Sequence, residues 1–270
     1  MPEPLLVLTP TLGESSDLAE TVRSVEALSL AVLHVLVCPE RRAGELRARY
    51  PRCRTVTELS TAHGLYAALN RALSVVDGWS WFTCINDDDR LAPGFAVAAA
   101  AHCRAELADC IGYGNVRLIG ERGQPLGPLA RERDPRRFQR LWRSGIVPLM
   151  QQGATISRRV IERLGSFDER YRLCADLDLW VRASMTGVPF RHYDQHVADF
   201  RLRRGQLSAN APAVALETQA VLAPLGPPTH GWERWWTRTR YRLENLPAFA
   251  ERVARTGHLR TSRLYPAGQD

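Results

Sequence analysis

The chain has 270 residues, of which 45% are hydrophobic and 24% charged, so its composition excludes wholesale disorder and a fibrous architecture. No apolar run reaches the roughly 18 residues that a membrane-spanning helix needs, and no basic segment precedes the N-terminal apolar stretch, so we expect a cytoplasmic protein. The formal net charge of +7 comes mostly from arginine and suits phosphate-bearing ligands or an anionic membrane surface, although a solvated basic surface explains it equally well.

The first 110 residues alternate between strand and helix patterns. "PLLVLTP" and "AVLHVLVC" are apolar runs typical of strands covered on both faces, and "SSDLAETVRSVEALS" between them carries apolar residues at helical spacing. A weaker strand near residues 54–57, the helix "HGLYAALNRALSVV", the strand "WSWFTCIN" and an alanine-rich helix from Pro93 follow. This alternation predicts a parallel, doubly wound α/β sheet that binds ligands at the carboxyl ends of its strands.

From about residue 111 the pattern changes. "IGYGNVRLIG" and "ERGQPLG" predict a strand and a turn, and the basic, proline-containing stretch 128–148 predicts a substrate-covering loop or a short helix. "GATISRRVIERLG" predicts a strand and a helix, and a further helix begins near Asp176. The tail from residue 207 is amphipathic and helical. The predicted division is a domain over residues 1–208, with halves 1–110 and 111–208, and a C-terminal helical extension over 209–270.

Three consecutive aspartates, Asp87, Asp88 and Asp89, directly follow the strand "WSWFTCIN". Clustered carboxylates repel one another, and the hard cations Mg²⁺ and Mn²⁺ prefer such oxygen ligands and share them with substrate phosphates. A solvated turn with an Asx cap on the following helix explains the same spacing. The spacing alone supports a metal site and a solvated turn equally.

Three segments of the chain form a pattern: "CINDDDRLAPGF", "HGLYAALNRAL" and "QQGATISRRVIERLGSFDERYRLCADLDLWVRASMTG". They resemble, in this order, the DXD region, the "GIYDAMNKG" helix and the second half of family 2 glycosyltransferases of the GT-A fold. With "VLTPTLGE" near the start and "FRLRRGQLS" near Phe200, the resemblance spans roughly residues 5–208. It implies a mostly parallel, Rossmann-like sheet flanked by helices. It also implies inverting transfer of a sugar from a nucleotide diphosphate to a hydroxyl group, of the bacterial polysaccharide or O-antigen type.

The resemblance assigns roles to individual residues. Asp176 falls at the position of the catalytic base, where a moderate base is enough because the acceptor hydroxyl loses its proton late; the position also suits a helix N-cap. Mn²⁺ or Mg²⁺ is implied at Asp89, with help from Asp87 or Asp88. The residues implied to bind the nucleotide-sugar are Thr9, Thr11, Glu14, Asn70, Asn86, Asp87, Asp88, Arg203 and Arg204. Those implied to bind the acceptor are Gln151, Gln152 and Trp180, although glutamines that brace a loop are an equally fair interpretation.

The chain departs from the family pattern at two places that bear on the donor. Cys38 stands where many members have an aspartate that recognises the base, with Glu40 as a substitute, so the resemblance leaves the nucleotide open. Arg203 and Arg204 stand where relatives carry a metal-binding histidine. An arginine does not ligate a cation but pairs bidentately with a diphosphate, so positive charge either joins the metal or partly replaces it.

The C-terminal stretch "GWERWWTRTRYRLENLPAFAERV" combines tryptophans with arginines at helical spacing. This pattern suits a helix that lies on anionic lipid at the inner face of the cell membrane. It also suits tryptophans that pack on the catalytic domain or on a second subunit of a homodimer, which is the interpretation that we favour. The other expected partners are a nucleotide-diphosphate sugar and a glycan or lipid-linked oligosaccharide, and no nucleic acid.

Two other functions compete with glycosyl transfer. A non-catalytic relative that binds a glycan or a protein partner fits the replaced residues, but a decayed site has no physical reason to keep clustered carboxylates. A sugar nucleotidyltransferase would share the sheet and the aspartates. It would also need a glycine-rich, arginine-containing phosphate loop after the first strand, and "TPTLGESS" has one glycine and no arginine.

Overall fold

The computed structural model describes residues 3–59, 64–104, 109–203, 205–206 and 210–265. Strands and helices alternate along the first part of the chain, as the sequence predicts. The elements of this part are β1 (Leu5–Pro10), α1 (Leu18–Glu26), β2 (Val32–Cys38), α2 (Glu40–Arg49), β3 (Arg54–Thr57), α3 (Leu65–Val75), β4 (Trp81–Cys84), β5 (Arg90–Leu91) and α4 (Pro93–Arg104).

The second part of the chain completes the sheet and adds three C-terminal helices. Its elements are β6 (Ile111–Ile119), β7 (Pro125–Pro128), α5 (Phe138–Arg143), β8 (Thr155–Ser157), α6 (Arg158–Leu164), α7 (Ala175–Met185), β9 (Phe190–Arg201), α8 (Ala211–Leu222), α9 (Gly231–Glu244) and α10 (Leu246–Thr256). The helix α5 lies in the stretch expected to form a loop or a short helix.

The strands form one mixed sheet in the order β3-β2-β1-β4-β8-β6-β9-β5, with β7 paired to β6. The first four strands are parallel, and the apolar sequences of β1 and β2 follow from cover on both faces. Leu6 and Leu8 pack on one side with Leu69 of α3, whereas Val7 packs on the other side with Phe95 of α4. The prediction of an α/β sheet flanked by helices is confirmed.

The long strand β9 is absent from the sequence-based prediction. Its sequence, FRHYDQHVADFR, is mostly polar, and the first half of the strand is partly exposed, so it lacks the apolar run that marks the buried strands. It pairs in parallel with β6 along most of its length. This pairing carries the chain to the edge of the sheet where β1 and β4 also end.

Strand β8 reverses the direction of the sheet, because it is antiparallel to both of its neighbours, β4 and β6. The segment before β8 therefore arrives at the end of β4, where Gln152 forms a bridge with Cys84. Side chains that precede one strand and side chains that follow another thus meet at one edge of the sheet.

The C-terminal helices pack on the rest of the molecule: α8 contacts α7, α9 contacts α5, and α10 contacts β7. Arg252 of α10 is buried and donates a hydrogen bond of 2.7 Å to the carbonyl of Pro128. Among the described residues, no helix has the length and apolar character needed to cross a membrane.

Candidate functional site

A cleft of about 960 Å³ opens where β1, β4 and β9 end and where α3 and α7 begin. It lies at the carboxyl edge of the parallel strands, where open α/β sheets bind ligands. The residues of the predicted site that line it are Thr11, Glu14, Asn86, Asp87, Asp88, Gln151, Gln152, Asp176 and Arg203. Side chains far apart in sequence are therefore brought together in one cleft.

Asp87 lies against the end of β1. The Thr11 hydroxyl donates a hydrogen bond of 2.5 Å to Asp87 Oδ2, and the Ser15 hydroxyl donates one of 2.9 Å to the Asp87 carbonyl. Burial raises the pKa of Asp87, whereas the Thr11 hydrogen bond and the charge of Arg203 lower it. The loop after β1 thereby fixes the first carboxylate of the run in the wall of the cleft.

Asp88 faces the cleft beside Arg203. Nη1 of Arg203 lies 3.9 Å from Asp88 Oδ2, and Nη2 lies 3.3 Å from Asp17 Oδ2. Burial and the negative charge of Asp87 raise the pKa of Asp88 to about 6, although Arg203 acts in the opposite direction. A bound cation would relieve this repulsion between neighbouring carboxylates.

Asp89 is enclosed by the fold, with none of its surface exposed. Its Oδ1 accepts a hydrogen bond of 2.7 Å from the backbone N–H of Arg201. Its Oδ2 accepts hydrogen bonds from the side-chain amides of Gln152, at 2.9 Å, and Asn86, at 3.2 Å. Burial, and then the charge of Asp88, raise the pKa of Asp89. Both oxygens bond within the fold, so the geometry favours Asp87 and Asp88 over Asp89 as carboxylates available to a ligand.

The two carboxylates in the cleft fit a divalent cation that shares its ligands with a substrate. Within the part of the chain that the structure describes, no group of three or more histidine, cysteine, aspartate or glutamate side chains could hold a metal ion. Mg²⁺ is commonly bound by one or two carboxylates together with phosphate oxygens and water. Asp87 and Asp88 match that smaller set of protein ligands.

Arg201, the last residue of β9, is buried beneath the aspartates with 1% of its surface exposed. Its Nη2 donates a hydrogen bond of 2.5 Å to Glu20 Oε2, and its Nε donates one of 2.7 Å to the carbonyl of Asp88. Its Nη1 donates to the carbonyls of Gly120 and Glu121. One guanidinium group thus joins α1, the aspartate run and the turn after β6.

Asp176 lies in the first turn of α7 and faces the cleft, while Cys174 takes the N-cap position. The Tyr66 hydroxyl donates a hydrogen bond of 3.0 Å to Asp176 Oδ1. Burial raises the pKa of Asp176, and hydrogen bonds from the Leu177 backbone and from Tyr66 offset part of that increase. A carboxylate with a raised pKa in a cleft is suited to accepting a proton.

Gln151 and Gln152 are buried between the cleft and β4. Gln151 Nε2 donates a hydrogen bond of 3.0 Å to the Cys84 sulfur, and Gln152 Nε2 donates to Asp89. Among the described residues, Oε1 of Gln152 has no hydrogen-bond partner. Both glutamines therefore brace the end of β4, and they also line the cleft.

A comparison with protein families decides the classification. The family described as Glycosyl transferase family 2 matches residues 6–165, which is more than half of the chain. The chain belongs to this family. No curated protein matches it in sequence.

Solved structures share the fold of this family 2 member. It superposes on S. aureus TarS 1–349 in complex with UDP-GlcNAc with a TM-score of 0.62 and 15% identity, over 97% of this chain and 82% of that one. It superposes on the mannosyltransferase PcManGT from Pyrobaculum calidifontis, in complex with GDP-Man and Mn²⁺, with a TM-score of 0.59 and 15% identity, over 94% of this chain and 74% of that one. Against a further TarS structure the TM-score is 0.60 at 13% identity, and 90% of this chain spans 43% of that one. The predicted GT-A architecture is confirmed.

Three further residues of the predicted site lie outside the lining of the cleft in this glycosyltransferase-family chain. Thr9 is buried and bonds His34 at 3.0 Å. Asn70 donates to the carbonyl of Phe167 at 2.8 Å and accepts a hydrogen bond from its N–H at 3.1 Å. Trp180 is 1% exposed and packs in the main core. Arg204, also part of the predicted site, lies outside the described residues.

The end of the cleft near β2 contains the position at which the chain departs from the family pattern, Cys38. Cys38 has no exposed surface, and burial raises the pKa of its thiol to about 11, so it presents a neutral group below the cleft. Glu14, Glu40 and Arg41 line the cleft at this end, and Glu14 lies 4.0 Å from the Arg41 guanidinium. Base recognition in this member therefore cannot rest on a carboxylate at position 38.

Sequence reasoning missed the roles of Tyr66 and Arg201. Tyr66 was visible as part of the family-like helix "HGLYAALNRAL", but its partner Asp176 is 110 residues away. Arg201 also lies in the family-like segment "FRLRRGQLS", but the predicted donor-binding residues of that segment are Arg203 and Arg204. Both contacts join distant segments, so neither leaves a local signal.

Proposed function

We propose that the protein transfers a sugar from a nucleotide diphosphate to a hydroxyl group of a glycan or lipid-linked oligosaccharide, with inversion at the anomeric carbon. The acceptor class is that of bacterial polysaccharides such as O-antigen. The observation that carries the proposal is that Asp176 lines the same cleft as Asp87 and Asp88, so a base and a diphosphate site share one cavity. The UDP-GlcNAc and GDP-Man complexes of the similarly folded proteins support a nucleotide-sugar as donor.

The donor end of the cleft consists of Asp87, Asp88 and Arg203 in this proposal. Mn²⁺ or Mg²⁺ held by the two aspartates would neutralise charge that develops on the leaving diphosphate. Asp89, which the resemblance implies as a ligand, is not part of the proposed metal site, because both of its oxygens accept hydrogen bonds within the fold. The Arg203 guanidinium adds positive charge beside Asp88 that pairs with phosphate oxygens.

The proposed base is Asp176. The acceptor oxygen bonds to the anomeric carbon from the face opposite the diphosphate, its proton passes to the Asp176 carboxylate, and the bond to the leaving phosphate oxygen breaks. Tyr66 holds Oδ1 of Asp176 at 3.0 Å and so orients the carboxylate. The raised pKa of Asp176 makes it a stronger proton acceptor than an ordinary exposed aspartate.

The proposed acceptor end lies around Gln151 and Gln152, which line the cleft together with Arg172 and Leu173. The Gln152 carbonyl oxygen is a buried hydrogen-bond acceptor with no partner among the described residues, so a sugar hydroxyl would reach it only after the side chain turns toward the cleft. Trp180, which the resemblance implies for this role, is 1% exposed and packs in the main core, so the proposal does not include it.

The C-terminal helices provide the proposed contact with the membrane. Helix α9 packs on the molecule through Thr237 and Tyr241, which are buried. The opposite face is apolar and exposed: the exposed fractions are 78% for Trp232, 64% for Trp235 and 50% for Trp236. Exposed tryptophans flanked by arginines suit an anionic lipid surface, in agreement with a protein at the inner face of the membrane. A homodimer that covers the same face is the competing proposal.

The deciding experiment combines donor binding with turnover. Purified protein should bind one or more of a panel of UDP-, GDP- and dTDP-sugars with Mn²⁺ or Mg²⁺ present and transfer or hydrolyse the sugar. Asp176→Asn should lower kcat by about 100- to 10,000-fold because a general base is lost, while donor affinity measured by calorimetry stays near that of the parent.

Asp178→Asn is the matched control, because Asp178 lies in the same helical turn and pairs with Arg182 at 2.7 Å. Near-normal turnover in Asp176→Asn would refute the base assignment. Failure of the parent to bind or turn over any donor would refute glycosyl transfer and would favour the non-catalytic alternative.

A further inference from the structure

Helix α8 contributes one carboxylate to the segment that leads into the proposed base. Oε1 of Glu217 accepts a hydrogen bond of 3.1 Å from the N–H of Arg172. Oε2 accepts hydrogen bonds from the N–H groups of Leu173, at 2.8 Å, and Cys174, at 3.0 Å. Three successive backbone donors thus bind a single side chain from a helix outside the region matched by the family.

These contacts occur where α7 lacks a cap of its own. The N-cap residue Cys174 makes no side-chain hydrogen bond to the helix. Backbone N–H groups at a helix N-terminus have no partners within the helix, and a negative charge placed there is favourable. Glu217 supplies that charge from a neighbouring helix, and it binds the N-cap residue of α7 and the two residues before it.

Leu173 connects this contact to the catalytic pair. Its N–H donates to Glu217, and its carbonyl oxygen lies 3.4 Å from the Tyr66 hydroxyl oxygen. The same hydroxyl donates to Asp176 Oδ1 at 3.0 Å. A displacement of Leu173 would therefore change the position of Tyr66 relative to Asp176.

Helix α8 packs on the segment before α7 and on the main core. The Cys174 sulfur lies 3.5 Å from the Thr218 hydroxyl and 3.8 Å from the carbonyl of Val214. Val221, one turn further along α8, is 1% exposed and belongs to the main core. Thr218 and Glu217 thus contact the segment before α7 from a helix that is anchored in the fold.

We propose that Glu217 is a positioning residue for the transfer reaction. It acts through the backbone of residues 172–174 on the Tyr66–Asp176 pair, and it makes α8 part of the catalytic unit. The inference rests on the proposed function, because it concerns the geometry of the proposed base. It assigns no contact between Glu217 and the substrate.

Two variants and a matched control test this role in the full chain. Glu217→Gln keeps a carbonyl acceptor but replaces the second oxygen by an amide that cannot accept from an N–H, and Glu217→Ala removes both acceptors. Glu251→Gln is the control, because Glu251 forms an exposed i,i+4 pair with Arg255 at 3.0 Å. We expect kcat to fall about tenfold in Glu217→Gln and further in Glu217→Ala, as hydrogen bonds to a charged group are lost, while the donor KM changes less than twofold.

Hydrogen exchange gives a readout that does not depend on turnover. The amide hydrogens of residues 172–177 should exchange faster in both Glu217 variants than in the parent. Their exchange rates should be unchanged in Glu251→Gln. Tyr66→Phe should cost less in the Glu217→Gln background than in the parent, because both changes act on the same contact. If Glu217→Ala fails to fold, Glu217→Gln and the double variant still decide the question.

The outcomes separate this inference from the proposed function. Parent-like kcat and exchange in Glu217→Gln would overturn the positioning role while leaving glycosyl transfer intact. Additive effects of the Tyr66 and Glu217 substitutions would also overturn it. Faster exchange in the variants of a chain that turns over no donor would refute the proposed function instead.

Discussion

At the scale of single residues, three adjacent aspartates have three different environments. Asp87 is held by the loop after β1, Asp88 faces the cleft beside Arg203, and Asp89 is enclosed with both oxygens bonded. Identical side chains diverge because each meets a different segment of the chain. The cost of clustering them is offset partly by hydrogen bonds within the fold and partly by the charges of Arg201 and Arg203.

The first prediction concerns the proton on Asp88. Its pKa is raised to about 6 by burial and by Asp87, so the carboxylate gains a proton as the pH falls through that value. A cation needs the ionised form, and we therefore expect Mn²⁺ affinity in the presence of a nucleoside diphosphate to fall below about pH 6. Calorimetric titration with Mn²⁺ at pH 5, 6 and 7.5 measures this affinity. Asp88→Asn should bind weakly at every pH; unchanged affinity in that variant would contradict the assignment.

The second prediction separates Arg201 from Arg203. Arg201→Ala removes a buried partner of Glu20 and of the Asp88 carbonyl, so it should lower the free energy of unfolding by about 3–5 kcal/mol. Arg203 is partly exposed, so Arg203→Ala should lower it by less than about 1 kcal/mol yet weaken donor binding. Urea denaturation and donor calorimetry on the two variants measure both effects. A reversed pattern would mean that the two arginines have been assigned the wrong roles.

At the scale of elements, the order of strands decides which loops share the cleft. Strand β9 runs parallel to β6 and delivers Arg201 beneath the aspartates, while the reversed β8 delivers Gln152 to the end of β4. The helix α4 begins directly after β5 and packs against β9. This packing leaves little space at Gly94, where an added Cβ would lie 2.4 Å from the carbonyl oxygen of His196.

The third prediction follows from that close approach. Gly94→Ala should lower the free energy of unfolding by about 1–3 kcal/mol, because α4 must move away from β9. Gly44→Ala is the matched control: Gly44 lies inside α2 with nothing within 4 Å of an added Cβ, so alanine there should stabilise by about 0.5–1 kcal/mol. Thermal unfolding of the two variants measures the difference, and equal effects would contradict the packing argument.

At the scale of the whole molecule, the C-terminal helices differ in how they contact the sheet. Helix α10 packs on β7, whereas α9 carries exposed tryptophans. Gly127 of β7 has φ +116°, and an added Cβ there would lie 3.1 Å from Cα of Arg252 in α10. A truncation before α9 would remove this contact as well as the exposed tryptophans. Point substitutions on α9 are therefore the sharper probe of its surface. The division of the chain into residues 1–208 and 209–270 stays a prediction.

The fourth prediction concerns the exposed face of α9. A variant with Trp232, Trp235 and Trp236 replaced by serine should lose at least about tenfold in binding to vesicles that contain anionic lipid, because the apolar contact area is removed. Cosedimentation at low and high salt measures binding. The control replaces Val97 and Met185 by serine, since these are also exposed, at 58% and 52%. A parent that forms dimers, dissociates in the tryptophan variant and never binds vesicles would support the homodimer instead.

The sequence predicts those features that depend on local pattern. Strands β1 and β2 are apolar runs, and the helix containing Asp176 follows from its spacing, so all three are visible without coordinates. The orientation of Asp89 is not predictable in this way, because it depends on the backbone of Arg201, 112 residues away. Strand β9 and the contacts of Glu217 are missed for the same reason: polar residues acquire partners only when distant segments meet.

The enclosed state of Asp89 has a consequence for the thermodynamics of binding. Because the fold itself supplies the three hydrogen bonds of Asp89, the segment between β4 and β5 needs no ligand to become ordered. A ligand that enters the cleft would therefore meet a preorganised backbone, and little of its intrinsic affinity would be lost to the conformational entropy of ordering that segment.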